Sequence, residues 1–262
     1  MGTVVSADGT PIGYMQSGSG PPLVLVHGMT ADASRWEPVL PALGEHFTVY
    51  AMDRRGRGAS GDAPSYAMDR EHEDVAAVVS MIGAPTRLFA HSYGGVCALG
   101  ALLLTRHVQN VVVYEPYVPV VPATEASAIT LRYEAMPMAT PEERDAIVTT
   151  FLREIMQVTE RDLAMLRAQP SWAARVAAAH AIPRELRAAE HYRFEASRFR
   201  DLRVPIGMLL GSDSPAFLKD ATARLHAALP GSRVVVLAGQ QHVAMNTAPE
   251  LFVRELRALL EA

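Results

Sequence analysis

Two residue types are almost missing from this chain. Cys97 is its single cysteine, so no intramolecular disulfide can form. With no second thiol to pair with, a reducing cytoplasm is the expected compartment, and Cys97 reads as a buried core thiol. Lys219 is the single lysine, and arginine carries nearly all the positive charge. The Gly-rich stretch Asp53-Arg54-Arg55-Gly56-Arg57-Gly58 therefore lacks the lysine of a phosphate-binding P-loop, and its glycine spacing does not fit a dinucleotide fingerprint. No apolar run is long enough to span a bilayer. The first twenty residues have neither a basic nor an apolar signal region and are not read as a secretory leader. Formal net charge is -4, with no basic excess. Neither nucleic acid nor membrane is an expected partner, which leaves a small-molecule substrate. Self-association into a homo-oligomer stays open. His46, His72, His107, His180, His191 and His226 show no ligand-like spacing, so no metal site is expected.

What is present is an ordinary globular composition, 262 residues with 49% hydrophobic and 20% charged. Val4-Val5 and Ile12-Gly13-Tyr14 flank Asp8-Gly9, a hairpin signal. Leu23 to Val26 is a continuous apolar run, as expected of a strand covered on both faces. Ser34 and Glu37 have capping-box spacing for a following helix. Phe47 to Met52 reads as a strand. A helix with Val75, Val78, Val79 and Ile82 on one face is stopped by Gly83. Further strands are read at Arg87 to His91, Val108 to Tyr114, Pro205 to Leu210 and Val234 to Leu237, with helices from Pro215 to Leu229 and from Pro249 onward.

Between Tyr117 and Leu202 no buried strand is evident, and prolines at 122, 137, 141, 170 and 183 break helical stretches. The expected organisation is an α/β core from 1–116 and 203–262, with a mostly parallel central sheet and helices on both faces. A helical cap (lid) is inserted at 117–202. His27, Asp53, Ser92, Glu115, Asp213 and His242 each follow a predicted strand, where functional groups of such sheets gather.

Ser92 stands in Ala90-His91-Ser92-Tyr93-Gly94, between a strand and a helix of small residues. A serine pinned on so tight a corner projects out of the sheet, and its flanks must be small; this is the nucleophile-elbow pattern with alanine in the first small position. A serine hydroxyl needs a base, and the base needs a partner that fixes its tautomer. The order Ser92, Asp213, His242 supplies all three types. Asp213 also fits as a simple helix cap, and Glu115 competes for the acid position.

These pieces together resemble the α/β-hydrolase fold superfamily: His27-Gly28, the Asp53 to Ser60 loop, the Ser92 elbow, Gly211-x-Asp213 and His242. The resemblance implies a cofactor-free serine hydrolase with Ser92 as nucleophile, His242 as base and Asp213 as orienting acid, Glu115 being the alternative. It implies an oxyanion hole from the backbone N–H groups of Met29 and Tyr93, and a small or medium apolar ester or lactone as substrate. Carbon–carbon hydrolysis of a diketone, perhydrolase (haloperoxidase) or hydroxynitrile lyase chemistry would use the same triad, and a ligand-binding protein on this scaffold is the reading from another class. Substrate contacts are expected from His27, Gly28, Met136, Met138 and Trp172, with Leu131, Phe151, Met156 and Met165 as further apolar candidates. The cap arginines read mostly as a solvated face, with a few open to binding a substrate carboxylate and no one of them singled out.

Overall fold

A computed structural model describes residues 1–118 and 123–261; Pro122, one of the predicted helix breaks, lies outside them. The chain opens with a hairpin, β1 (Gly2–Val5) and β2 (Pro11–Gly18). At its turn Gly9 takes φ 88° and Asp8 Oδ1 accepts from the Thr10 N–H at 3.0 Å. β3 (Pro22–Val26) follows, buried from Leu23 onward as its unbroken apolar run requires. A short 3-10 turn at Ala33–Trp36 and α1 (Leu40–Gly44) lead to β4 (Thr48–Met52). The cap of that turn is Asp32, whose carboxylate accepts from the Ser34 N–H, so the expected Ser34 capping box is not formed.

α2 (Met68–Ile82) buries Val75, Val78 and Val79 and stops at Gly83 with φ 68°, a left-handed cap that glycine adopts without penalty. β5 (Thr86–His91), α3 (Tyr93–Ala101) and β6 (Val108–Tyr114) come next. From there to β7 (Ile206–Gly211) the regular elements among the described residues are all helical. They are α4 (Ala123–Glu134), α5 (Pro141–Thr150) with a π-helical turn at Phe151–Ile155 following it, α6 (Glu160–Arg167), α7 (Trp172–Ala177), α8 (Ala181–His191) and a 3-10 turn at Ala196–Phe199. The fold closes with α9 (Ala216–Ala228), β8 (Arg233–Leu237), α10 (Ala244–Thr247) and α11 (Pro249–Leu260). Among the described residues no helix is long and apolar enough to cross a membrane.

The sheet has eight strands in the order β1-β2-β4-β3-β5-β6-β7-β8. β1 and β2 are antiparallel to their neighbours and the rest are parallel. The chain moves outward from β3 to β4, then crosses back to lay β5 on the other side of β3. The loops leaving β3 and β5 therefore diverge, and a crevice opens at the strand ends between them. Register places the site residues. His91 pairs with Tyr114 on the last rung of β5 and β6, so Ser92 and Glu115 are the first residues beyond it on adjacent strands.

Candidate active site

Ser92 occupies a backbone state that serine normally avoids, φ 57° with ψ -126°. Its N–H donates to Tyr114 O at 2.9 Å, which holds the corner against β6. The corner survives because its neighbours are small. A Cβ on Gly94 would lie 2.4 Å from His27 O, and one on Gly28 would lie 3.0 Å from the Ser92 Cβ. Strain of this kind costs on the order of 1–3 kcal/mol and persists only where the surroundings enforce it. Glu115 is a second non-glycine residue with positive φ, 44°.

The partner of His242 is Glu115. Nδ1 of His242 lies 2.5 Å from Oε2 of Glu115, and both side chains are buried. The other carboxylate oxygen accepts from the Gly211 N–H at 2.7 Å and from the Ser214 hydroxyl at 2.5 Å. An ionised carboxylate only accepts, as Glu115 does from these two donors, so the proton of the pair is assigned to Nδ1 and the Nε2 lone pair is left free. Asp213, expected in this position, is elsewhere. Its backbone N–H is tied to Gln240 O, and its carboxylate accepts from the exposed Ser212 hydroxyl at 2.8 Å. Glutamate on β6 is one methylene longer than aspartate, and it starts from the rung beside Ser92. The Gln241 side chain turns away too, donating to Asp213 O at 3.1 Å.

The loop carrying His242 is clamped from below. His91 Nε2 donates to His242 O at 2.9 Å, and the two rings sit 4.3 Å apart. Tyr114 Oη donates to Gln241 O. Burial, followed by the charge of His242 and of Arg35, pushes the pKa of His91 well below the usual histidine value.

The turn that carries Met29, one of the expected oxyanion donors, is tied down by side chains. His27 Nε2 accepts from the Arg54 N–H at 3.1 Å, so Nδ1 carries the proton and donates to Gly28 O at 2.8 Å. Arg54 Nη1 reaches the same carbonyl at 3.2 Å. Fixing Gly28 O fixes the peptide plane whose other end is the Met29 N–H. Arg57 holds the following carbonyl, Met29 O, at 2.7 Å. Tyr93 begins α3, so its N–H is among the first-turn donors that a helix leaves unpaired. The Tyr93 ring points away from Ser92, under Arg54 at 4.6 Å.

Ser92 and His242 line one cavity together with Gly28, Met29, His91 and Val243 from the core. Phe151, Leu152, Met156 and Leu166 close it from the helical stretch between β6 and β7, and Arg35 and Arg175 complete the wall. It is tight, leaving about 20 Å³ for the centre of a water-sized group. Of the expected substrate contacts, Gly28 is present. His27 acts one bond away, through Gly28 O. Met136, Met138 and Trp172 do not line this cavity. Trp172 donates its indole N–H to Asp145 Oδ1 at 2.7 Å under Arg167, Met138 lines a separate cavity of about 740 Å³ beside α2, and Met136 packs on the hydrophobic core. Leu131 is exposed, whereas Phe151 and Met156 face Ser92 as anticipated. Arg35 was not anticipated; Arg175 is one of the arginines read mostly as a solvated face with a few open to a substrate carboxylate, and it is only 3% exposed. Among the described residues no group of three or more His, Cys, Asp or Glu side chains is arranged to hold a metal ion.

Residues 23–255 match the sequence model of the alpha/beta hydrolase family. An alpha/beta hydrolase from Sphaerobacter thermophilus DSM 20745 is 32% identical, with a TM-score of 0.78 over 98% of this chain and 99% of that one. The esterase RhEst1 from Rhodococcus sp. ECU1013 is 26% identical, with a TM-score of 0.81 over 100% and 98%. A 2-(acetamidomethylene)succinate hydrolase of Mesorhizobium japonicum is 23% identical over 94% of this chain and 90% of its own length. Several other curated relatives match over less; the chain spans only 29% of one that is 41% identical over 85 residues. The chain belongs to the alpha/beta hydrolase family.

Proposed function

We propose that the protein is a serine hydrolase that cleaves a small ester or lactone through an acyl-enzyme, with Ser92, His242 and Glu115 as its triad. The observation that carries this reading is the buried His242–Glu115 pair, whose free imidazole nitrogen belongs to a cavity lined by Ser92 on its strained corner. Nε2 takes the Ser92 proton as Oγ attacks the carbonyl carbon. The carbonyl oxygen becomes an oxyanion facing the Met29 and Tyr93 N–H groups. The C–O bond to the leaving alcohol breaks, and the imidazolium returns the proton to that oxygen. Water then enters, gives its proton to Nε2, attacks the acyl carbon and releases the acid with Ser92 restored. The buried carboxylate of Glu115 stabilises the imidazolium in both halves. The helices at 117–202 act as the cap in this reading, closing over the bound acyl group.

Treatment with a fluorophosphonate followed by intact-mass measurement tests it. One phosphonate adduct is expected on the wild type and none on Ser92→Ala, with turnover of a panel of short-chain 4-nitrophenyl esters and lactones. A wild type that neither takes the adduct nor cleaves any member of the panel would overturn the reading.

A further inference from the structure

Five arginines are buried among the described residues: Arg35, Arg54, Arg55, Arg57 and Arg175. Three of them are matched by carboxylates. Arg54 pairs with Glu71 at 2.6 Å and with Glu185 at 3.0 Å, Arg55 pairs with Asp74 at 2.6 Å, and Arg57 also pairs with Glu185. The other two have no carboxylate within ion-pair distance among the described residues, and both line the cavity of Ser92 and His242.

The contacts they do make are weak for a buried cation. Arg35 is 4% exposed; Nη2 donates to the thioether of Met245 at 3.0 Å, and Nε has no partner. Arg175 reaches in from α7, where Nη1 donates to Thr30 O at 2.7 Å and to the Thr30 hydroxyl at 3.1 Å. The acid nearest in charge terms, Asp32, is occupied by the Ser34 N–H and hydroxyl. Burial lowers the pKa of Arg35, and the neighbouring Arg175 lowers it further. Burial brings Arg175 down to about 10, still a cation at neutral pH.

A buried cation without an anion is unfavourable, and two that repel one another are more so. Elsewhere this chain meets each buried guanidinium with an acid, so the missing anion beside Ser92 marks a place for a ligand. We propose that the substrate carries a free carboxylate, held by Arg35 from the core and Arg175 from the helical insertion while Ser92 attacks its scissile carbonyl. A planar carboxylate matches the guanidinium fork and is the smallest common organic anion, as so tight a cavity requires. Its charge would also draw α7 onto the core across Ser92. This inference rests on the serine-hydrolase reading above.

The test compares 4-nitrophenyl hydrogen glutarate with its uncharged analogue, 4-nitrophenyl pentanoate, on wild type, Arg35→Met, Arg175→Met and Arg175→Lys. The wild type is expected to favour the charged ester at least tenfold in kcat/KM. Each methionine variant should cut that ratio at least tenfold, and Arg175→Lys should keep part of it. Independently of turnover, glutarate should slow phosphonylation of wild-type Ser92 and raise its Tm, and do neither for the two methionine variants. Thermal melts without ligand check that each variant is folded. Phosphonylation at Ser92 with no preference for the charged ester and no protection by glutarate overturns the carboxylate inference alone. Protection by inorganic phosphate but not by glutarate overturns it in favour of a phosphorylated substrate. Failure of both phosphonylation and ester cleavage removes the hydrolase reading and this inference with it.

Discussion

Replacing Glu115 by glutamine tests the triad most directly, because the change is nearly isosteric and its effect follows from three contacts. Oε1 accepts from the Gly211 N–H and the Ser214 hydroxyl, and Oε2 faces His242 Nδ1. A glutamine has one oxygen and one NH2 to serve both sides. With its oxygen kept toward Gly211 and Ser214, the NH2 faces Nδ1 and donates to it. Nδ1 must then be the acceptor, the proton moves to Nε2, and the base toward Ser92 is gone. With the amide flipped, the NH2 meets the backbone N–H of Gly211 and a buried donor loses its acceptor. In the Ser-His-Asp template the equivalent acid-to-amide change costs about 10⁴ in kcat, which corresponds to about 5.4 kcal/mol of transition-state stabilisation. A loss of about 10³–10⁴ in kcat with a small change in KM is therefore expected for Glu115→Gln. Asp213→Asn should stay within about twofold, since its carboxylate contacts only an exposed hydroxyl. Steady-state hydrolysis of a 4-nitrophenyl ester, with thermal melts to verify folding, reads both. A damaged Asp213→Asn beside a fully active Glu115→Gln would refute the argument.

Two further outcomes follow from the histidines around the site. His27→Ala frees one of the two bonds that orient Gly28 O, so kcat should fall by about 10- to 100-fold with KM little altered, because an oxyanion donor acts mainly in the transition state; an unchanged kcat would remove His27 from this role. Burial, ahead of nearby arginine charges for His27 and ahead of His242 for His91, holds both rings' pKa values well below that of free histidine. The folded protein then binds fewer protons than the unfolded chain once pH drops under about 6.5, so stability is present above that value and is lost as pH falls through it. Each ring withheld from protonation at pH 5.5 costs about 1.4 kcal/mol, or about 3 kcal/mol for the pair. Urea unfolding at pH 7.5 and 5.5 should show that loss, and a midpoint that stays constant would show that the rings titrate normally.

The parts of the site visible in the sequence were those whose signal is local. The Ser92 elbow is a string of five residues whose sizes are dictated by the corner itself, and Gly94 could be read as obligatory before its closeness to His27 O was known. The alternation of apolar runs with periodic helices pointed to a mostly parallel sheet and to the helical stretch between β6 and β7. The acid was not local. Glu115 and Asp213 both stand just past neighbouring strands, and only the rung at which β6 ends beside β5, together with the tie from Asp213 N–H to Gln240 O, decides between them. No arginine between β6 and β7 was singled out for a substrate carboxylate, although Arg175 carries a local signal. It is a single charge in the alanine-rich stretch Trp172–Ala179, with no acid three or four residues away, which is unlike an arginine on a solvated helix face.

The buried charges gather beneath the turn that carries Gly28 and Met29. Replacing buried ion pairs with hydrophobic residues is often neutral or stabilising by about 1–4 kcal/mol, so the cluster of Arg54, Arg57, Glu71 and Glu185 is weak as a stability device. Its geometry serves positioning. The two arginines donate to Gly28 O and Met29 O, two carbonyls of one turn, the first of them held by His27 as well. Their counter-ions come from α2 and from α8, so this turn is braced by helices from two distant parts of the chain. Arg35 and Arg175 repeat that bridge on the other wall of the cavity, one from the core and one from α7, without the acids. A substrate carboxylate seated between them would complete by binding what Glu71 and Glu185 complete by folding, so that cap and core are drawn together over Ser92 when the substrate is in place.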